Sequence, residues 1–432
     1  MEAAGPAPTA VGPHNLLPVL PWLTRSSPAH AAGIGLLAVL LGTVSAGPEP
    51  RAPQRQDQPP RAEVSVQQVS LLKARVGLAA DTRFGTVPPQ AVPSAGLAPY
   101  DVHDPSTWSN AALAAGLTVS CVDVNDVRRA RKQAQAGIGG ITLIGSHPDR
   151  HLRKRLGKAR RAAPHNLAPF VMSDEEGGEV QRLRSKIYPL PSAKTMGGWH
   201  KHHVRKTAKK YGARMRALGV QMDLAPVADL KVKGAYIASL HRAFSRDPDR
   251  VATMARAWRL GMNDSNVATV LKHWPGHGSA TNSHTGPASV PPLATLERRD
   301  MRPFNTELAR GARVVMVGHL TSSGLTDPGL PASESPRALH YLRAKAGPDV
   351  VIVTDALNMA AASHSLGLKP ARAAVRALRA GADWALVCSA HPIKAVAKIR
   401  AAIDSGALPR DQAIASTRRI VALKSSYGLV PR

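Results

Sequence analysis

From residue 117 onward, eight short apolar runs alternate with longer stretches of helical period, and this alternation limits the fold more than any other feature of the 432-residue chain. In order the runs read LTVSCVDV, GGITLIG, APFVMSDE, GVQMDLAPVAD, VATVLKHWP, ARVVMVGH, VVIVTDA and DWALVCS. They are rich in β-branched residues, whereas VRKTAKKYGARMRAL (204–218) and PARAAVRALRAGA (370–382) between them place apolar residues every three or four positions. Strand, crossover helix and parallel strand is the economical reading, so the class is α/β. Eight such units predict a (β/α)8 barrel of the TIM type. A doubly wound open sheet is the alternative, because periodicity alone does not close a sheet.

The ends of the runs favour the barrel. Asp174, Asp223 with Asp229 beyond it, Lys272 with His273, His319 and Asp355 all stand where a run finishes. In a barrel these ends converge on one mouth, where active sites are built, whereas in an open sheet they spread along an edge. The loop after the fifth run, KHWPGHGSATNSHTG (272–286), then hangs over that mouth with three histidines. Pro275, Gly276 and Gly278 exclude a helix there, so His273 and His277 are not a helical zinc pair. His273, His277 and His284 have no obvious carboxylate or cysteine partner at ligand spacing, and no metal is expected. Gly276 and Gly278 are expected to take positive φ and shape the turn.

The remaining sequence bounds the setting. Residues 31–47, AAGIGLLAVLLGTVSAG, form an apolar run too short to span a bilayer comfortably and ending in small residues, which reads as a secretory signal cleaved near Ala46. The rival reading is a start codon placed too far upstream, or a short uncleaved anchor. Residues 47–100, opening GPEPRAPQRQDQPPR, read as a Pro-rich exposed linker. A secreted or envelope-associated protein is therefore expected. The net charge is +28, of which residues 1–100 carry +2. Such a field draws a protein to polyanions, and for an exported chain anionic cell-envelope polymers are the natural partner. A merely solvated basic surface is the alternative. No specific nucleic-acid partner is expected, since aromatic residues make up 4% of the chain and no recognition motif is present. Cys121 and Cys388 are the two cysteines; a bridge is open to them outside the cell, but two buried thiols on strands is the expectation.

Several ordered motifs resemble the family 3 glycoside hydrolases, in particular their single-domain β-N-acetylhexosaminidase branch. VMSDEEGGEVQRL (171–183) is similar to D-Q-E-G-G-R-V-Q-R, GVQMDLAPVADL to G-I-N-x-N-x-A-P-V-x-D, HRAFSRDP (241–248) to R-S-F-G-x-D-P, and KHWPGHG to K-H-F-P-G-H-G. VIVTDALNM (351–359) resembles the segment that bears the nucleophilic aspartate. The resemblance covers about residues 110–430 and implies that residues 101–432 form the family's N-terminal-type barrel.

By that resemblance Asp355 is the nucleophile of a retaining glycosidase, and physics supports the role: a strand-end carboxylate kept ionised by nearby cations can attack an oxocarbenium-like carbon. The alternative for Asp355 alone is a helix cap. The resemblance places the acid/base on His284, where an imidazole protonates the leaving oxygen without the large pKa shift a carboxylic acid needs. The family's loop reads D-S-H, but here it is Asn282-Ser283-His284. An asparagine can orient the ring through its carbonyl oxygen but cannot stabilise the imidazolium by charge. The implied substrate contacts are Asp174, Arg182, Arg242, Lys272 and His273, with Asp174 as a helix cap and the cations as surface charges being the rival readings. Glu176 is expected in a supporting role. His319 is either an orienting residue behind the site or a core histidine, and Trp274 either stacks on a sugar or is buried. The run HKHHVRKTAKK (200–210) reads as a solvated helix face.

These readings lead to a monomeric β-N-acetylhexosaminidase, needing no cofactor, that removes terminal β-linked N-acetylglucosamine from a β-N-acetylglucosaminide or muropeptide-like substrate, with a peptidoglycan fragment as the expected one. Two rivals stand beside it. One is a phosphorylase using the same aspartate and histidine; the other is a catalytically impaired envelope-binding protein in which Asn282 has cost the activity.

Overall fold

The computed structural model describes residues 100–431, which lie within the compact unit Gln90–Arg432. The signal-like run and the Pro-rich linker fall outside the described residues.

Each of the eight apolar runs forms a parallel strand. They are β1 Thr118–Asp123, β2 Gly140–Ile144, β3 Phe170–Ser173, β4 Met222–Asp223, β5 Leu271–Trp274, preceded in the same run by Ala268–Thr269, β6 Val314–Val317, β7 Val351–Thr354 and β8 Ala385–Val387. Pairing runs from β8 through β1, β2, β3 and β4 to Ala268–Thr269, and from β5 through β6 to β7. Two parallel bridges join these arcs: Val227 to Lys272, and Val353 to Trp384 just ahead of β8. The backbone of Trp384 secures the second join, its N–H donating to the Ile352 carbonyl while its carbonyl accepts from Thr354 N–H. The pairings thus pass once around a ring, and the open sheet is excluded.

Burial explains why these runs are strands. β3, β6 and β7 are buried at every residue, the pattern of a parallel sheet covered on both faces. Helices cover the outside. Lys201–Leu218 packs Val204, Ala208, Tyr211 and Met215 inward and leaves Lys201, His202, His203, Arg205 and Lys209 in solvent, so the histidine-rich run is the solvated face expected of it. Asp247 caps Pro248–Asn263, whose first residue is a proline, a favourable helix start.

One expectation is corrected at the seam between the first and last strands. Cys121 and Cys388 are not two thiols; they are bonded, with Cα atoms 4.7 Å apart. The reason lies in register. β1 pairs with β8 from Thr118–Ala385 to Ser120–Val387, so the next residues along, Cys121 and Cys388, face each other across neighbouring strands. Two cysteines 267 residues apart in sequence thus become cross-strand neighbours only when the barrel closes.

Candidate active site

At the C-terminal ends of the strands a cavity of about 340 Å3 is lined by Asp174, Glu176, Arg182, Arg242, Lys272, His273, His284 and Asp355, together with Tyr236, Asn358 and Met359. The structure therefore brings together every residue to which the resemblance gave a catalytic or substrate-binding role.

One side of the cavity is a charge network. Lys272 follows Leu271 in β5, and its Nζ lies 2.7 Å from Asp174 Oδ1 and 2.7 Å from Glu176 Oε1. Arg242 forks onto Glu176, with Nε and Nη2 donating to its two oxygens at 2.7 and 2.9 Å. Its Nη2 is also 3.4 Å from His273 Nε2. Arg182 approaches the second oxygen of Asp174 at 3.6 Å. Burial pushes the Glu176 carboxyl up, but Arg242 and Lys272 outweigh it and hold the group well below the usual carboxylate range. Burial likewise works against the Lys272 ammonium, and Asp174 and Glu176 raise its pKa in spite of it. Asp174 is consequently not a helix cap, since its carboxylate is taken by Lys272. Glu176 supports two cations, as its place in the sequence suggested.

Asp355 follows the last residue of β7. Its N–H donates to the Val317 carbonyl at 2.9 Å, and its Oδ1 accepts the Ala356 N–H at 2.7 Å. Turns rather than an α-helix follow it, so the capping reading fails. Burial pushes the carboxyl up, yet the facing imidazoles, His273 foremost, and the Ala356 N–H hold it far below its ordinary range. The group is an ionised carboxylate aimed into the mouth.

His319 stands behind it. Its Nδ1 is 2.7 Å from Ser333 Oγ and its Nε2 is 3.1 Å from the Ala356 carbonyl. A neutral ring donating from Nε2 to Ala356 and accepting from the serine satisfies both contacts, and burial lowers its pKa in the same sense. It is thus both a core histidine and the brace of the loop that carries Asp355.

His273 and His277 share a carboxylate that sequence reasoning left unassigned. Asp229, fully buried, accepts the His273 and His277 N–H groups on Oδ1 at 3.2 and 2.7 Å, and His273 Nδ1 on Oδ2 at 2.7 Å. Burial opposes its charge, but the His273 ring outweighs burial and lowers its pKa. The position of Asp229 beyond the fourth run was a visible signal; its partners lie 44 and 48 residues away in sequence, which no local spacing reveals. His277 is held elsewhere, with Nε2 3.0 Å from Ser283 Oγ. Burial and the neighbouring His273 push its pKa down to about 4, so it is a neutral tether of the loop. Among the described residues no group of three His, Cys, Asp or Glu side chains gathers in a metal-holding arrangement.

Two further expectations change, at Asp223 and Gly278, and the open choice at Trp274 closes. Asp223 ends β4 but stands behind the cavity, fully buried, accepting the Trp258 indole N–H and the Glu175 N–H; burial raises its pKa strongly. Trp274 is buried and does not stack in the mouth. Gly276 has φ +123°, as expected, but Gly278 does not need positive φ; a Cβ there would meet the Leu230 carbonyl oxygen at 2.5 Å, so close backbone approach selects the glycine.

His284 is exposed on the loop and faces the same cavity. The main-chain carbonyls of Ser283 and His284 accept the Ala361 and Ala360 N–H groups, both at 3.3 Å, tying this loop to the turn that follows Asp355. Asn282 does not orient the imidazole. Its Oδ1 accepts the backbone N–H of His284 at 3.0 Å, so the side chain shapes the turn rather than the ring. Partial burial lowers the His284 pKa, although Asp355 pulls the other way.

The Glycosyl hydrolase family 3 N terminal domain model matches residues 109–423. The chain belongs to glycosyl hydrolase family 3. It is 36% identical over 297 residues to the beta-hexosaminidase LpqI of Mycobacterium tuberculosis, a match covering 66% of this chain and 76% of that relative. The solved structure of M. tuberculosis LpqI aligns with a TM-score of 0.68 at 35% identity, covering 74% of this chain and 95% of that one. A family 3 beta-N-acetylglucosaminidase from Paenibacillus sp. aligns with a TM-score of 0.67 at 26% identity, covering 74% of this chain and 63% of that one. Membership makes the chain a glycosidase acting on O-glycosyl bonds, and the resemblance drawn from its motifs holds.

Proposed function

We propose that the chain is a retaining β-N-acetylglucosaminidase that removes terminal N-acetylglucosamine, with peptidoglycan fragments as its substrate, Asp355 as nucleophile and His284 as acid/base. The observation that carries this reading is an ionised Asp355 sharing one cavity with a loop imidazole and a ring of hydrogen-bonding charges. The names of the relatives support the sugar; the basic surface fits an anionic envelope and supports the polymer.

The steps follow from the groups present. An oxygen of Asp355 attacks the anomeric carbon as its bond to the leaving sugar oxygen breaks, and the His284 imidazolium gives that oxygen a proton. Neutral His284 then takes a proton from water, whose oxygen attacks the same carbon and releases the carboxylate, so the anomeric configuration is retained. Asp174 accepts hydrogen bonds from sugar hydroxyls, while Lys272, Arg242, Arg182 and His273 donate. Glu176 keeps two of those cations in place.

The test is chromophore release from an aryl β-N-acetylglucosaminide across pH 4 to 9 by the wild type and Asp355→Ala, with and without excess phosphate. Release by the wild type alone, not accelerated by phosphate, is expected. Turnover that survives in Asp355→Ala would remove the nucleophile assignment, and phosphate-driven formation of a sugar 1-phosphate would make the protein a phosphorylase.

A further inference from the structure

A large unassigned cavity lies at the opposite end of the barrel. Pro169 and Val171 at the start of β3, and Gly219 and Gln221 ahead of β4, form the floor of a cavity of about 750 Å3. Its walls carry five cations, Arg153, Lys154, Arg160, Arg161 and Arg216, and no carboxylate is among the lining residues. The contrast with the catalytic mouth is direct, for there Lys272 and Arg242 each have an acidic partner within 2.7 Å.

The cations are partly built in. Arg160 donates to the Gly428 carbonyl at 3.2 Å and Arg216 to the Tyr427 carbonyl at 3.1 Å, so two guanidinium groups are anchored side by side on the C-terminal segment. Nη1 of Arg216 is buried with no hydrogen-bond partner. Burial and the neighbouring Arg160 both lower the Arg216 pKa, the mark of like charges gathered without a counter-ion. Gln221 lies beneath them, buried; its Oε1 accepts the Val171 N–H at 3.1 Å, which leaves its amide nitrogen as a free donor at the floor. Holding like charges together costs free energy that a bound anion would return, and a guanidinium pair presents the fork that phosphate oxygens fit.

We propose that this basal cavity is a binding site for a chain of phosphate groups, engaged by Arg160, Arg216 and Gln221 at the floor and by Arg153, Lys154 and Arg161 at the rim. The site is separate from the catalytic mouth, so it anchors the enzyme on a phosphate-bearing polymer while the other end of the barrel stays open to substrate. Its size suits several consecutive phosphates rather than one ion.

The test measures binding of inorganic tripolyphosphate and of a short poly(glycerol phosphate) to the full-length protein by calorimetry at two salt concentrations. Two triple variants are compared: Arg153→Glu/Lys154→Glu/Arg161→Glu at the rim, and Lys345→Glu/Lys369→Glu/Lys394→Glu at distant exposed positions that do not line the cavity, with the same change in net charge. Both probes should bind the wild type, more weakly as salt rises, with the rim variant losing about tenfold and the distant variant much less. Binding of tripolyphosphate alone assigns the site to free polyphosphate; binding of both assigns it to polymer. Hydrolysis of a soluble aryl glycoside should be the same in all three proteins. Equal losses in the two variants would reduce the effect to a diffuse field and overturn the site. So would absence of binding, or tighter binding of a single-stranded oligonucleotide of equal charge than of poly(glycerol phosphate).

Discussion

Two imidazoles face the same cavity, one from strand β5 and one from the loop that follows it, and they are held in opposite ways. His273 has a buried carboxylate on its Nδ1 and a guanidinium beside its Nε2. His284 is exposed, and among the described residues no side chain is hydrogen-bonded to its ring; Asn282, the residue expected to orient it, binds the backbone instead. A histidine that must hold a sugar in one pose benefits from a fixed ring. A histidine that must give a proton to one oxygen and take one from another can do so from a ring that moves, but without a carboxylate its imidazolium is less stable.

The comparison can be broken at several points. The largest effect belongs to the group both imidazoles serve: Asp355→Ala should reduce kcat by about 10^4-fold in steady-state assays of the aryl glycoside. Next, His284→Ala should cost between about 10^2 and 10^4 in kcat/KM for a poor leaving group and much less for an activated phenol, because a good leaving group needs little protonation. His273→Ala should instead raise KM more than it lowers kcat, since the role proposed for it is to hold substrate. Removing the fixed ring's carboxylate, Asp229→Asn, should lower stability by about 2 kcal/mol by denaturant unfolding, because three donors lose a charged acceptor in a buried site.

The smallest change sharpens the comparison most. The pKa of His284 is lowered, so the protonated acid is lost as pH rises through a value below the ordinary 6.5. Below that value the acid is present, so kcat/KM should fall on the alkaline side. Asn282→Asp places a carboxylate within reach of the ring and should move that alkaline limb upward by about one pH unit. An unmoved limb would mean that the introduced carboxylate still binds only the backbone.

How much was legible in the sequence follows from the range of each interaction. The eight runs were readable because a strand buried on both faces is continuously apolar, and their chemical ends were readable because a barrel sends them to one mouth. Asp174, Lys272, His273 and Asp355 needed nothing more. The partners of Asp229 were not readable, since they lie 44 and 48 residues on across the β4–β5 join, and the Cys121–Cys388 pair meets only where the first and last strands close the barrel. The orientation of Asn282 was missed for a different reason. Residue type says that an amide can reach a ring or a backbone N–H two residues on, and the local turn decides between them. The basal cavity was visible in sequence only as surplus positive charge, without a location.

The role of Asp355 as nucleophile is tested most directly by intact-protein and peptide mass spectrometry after incubation with a fluorinated N-acetylglucosamine analogue that forms the glycosyl-enzyme quickly and releases it slowly. A single covalent sugar adduct is expected on the peptide containing Asp355, absent from Asp355→Ala. An adduct on any other residue, or none while the aryl glycoside is still hydrolysed, would contradict it.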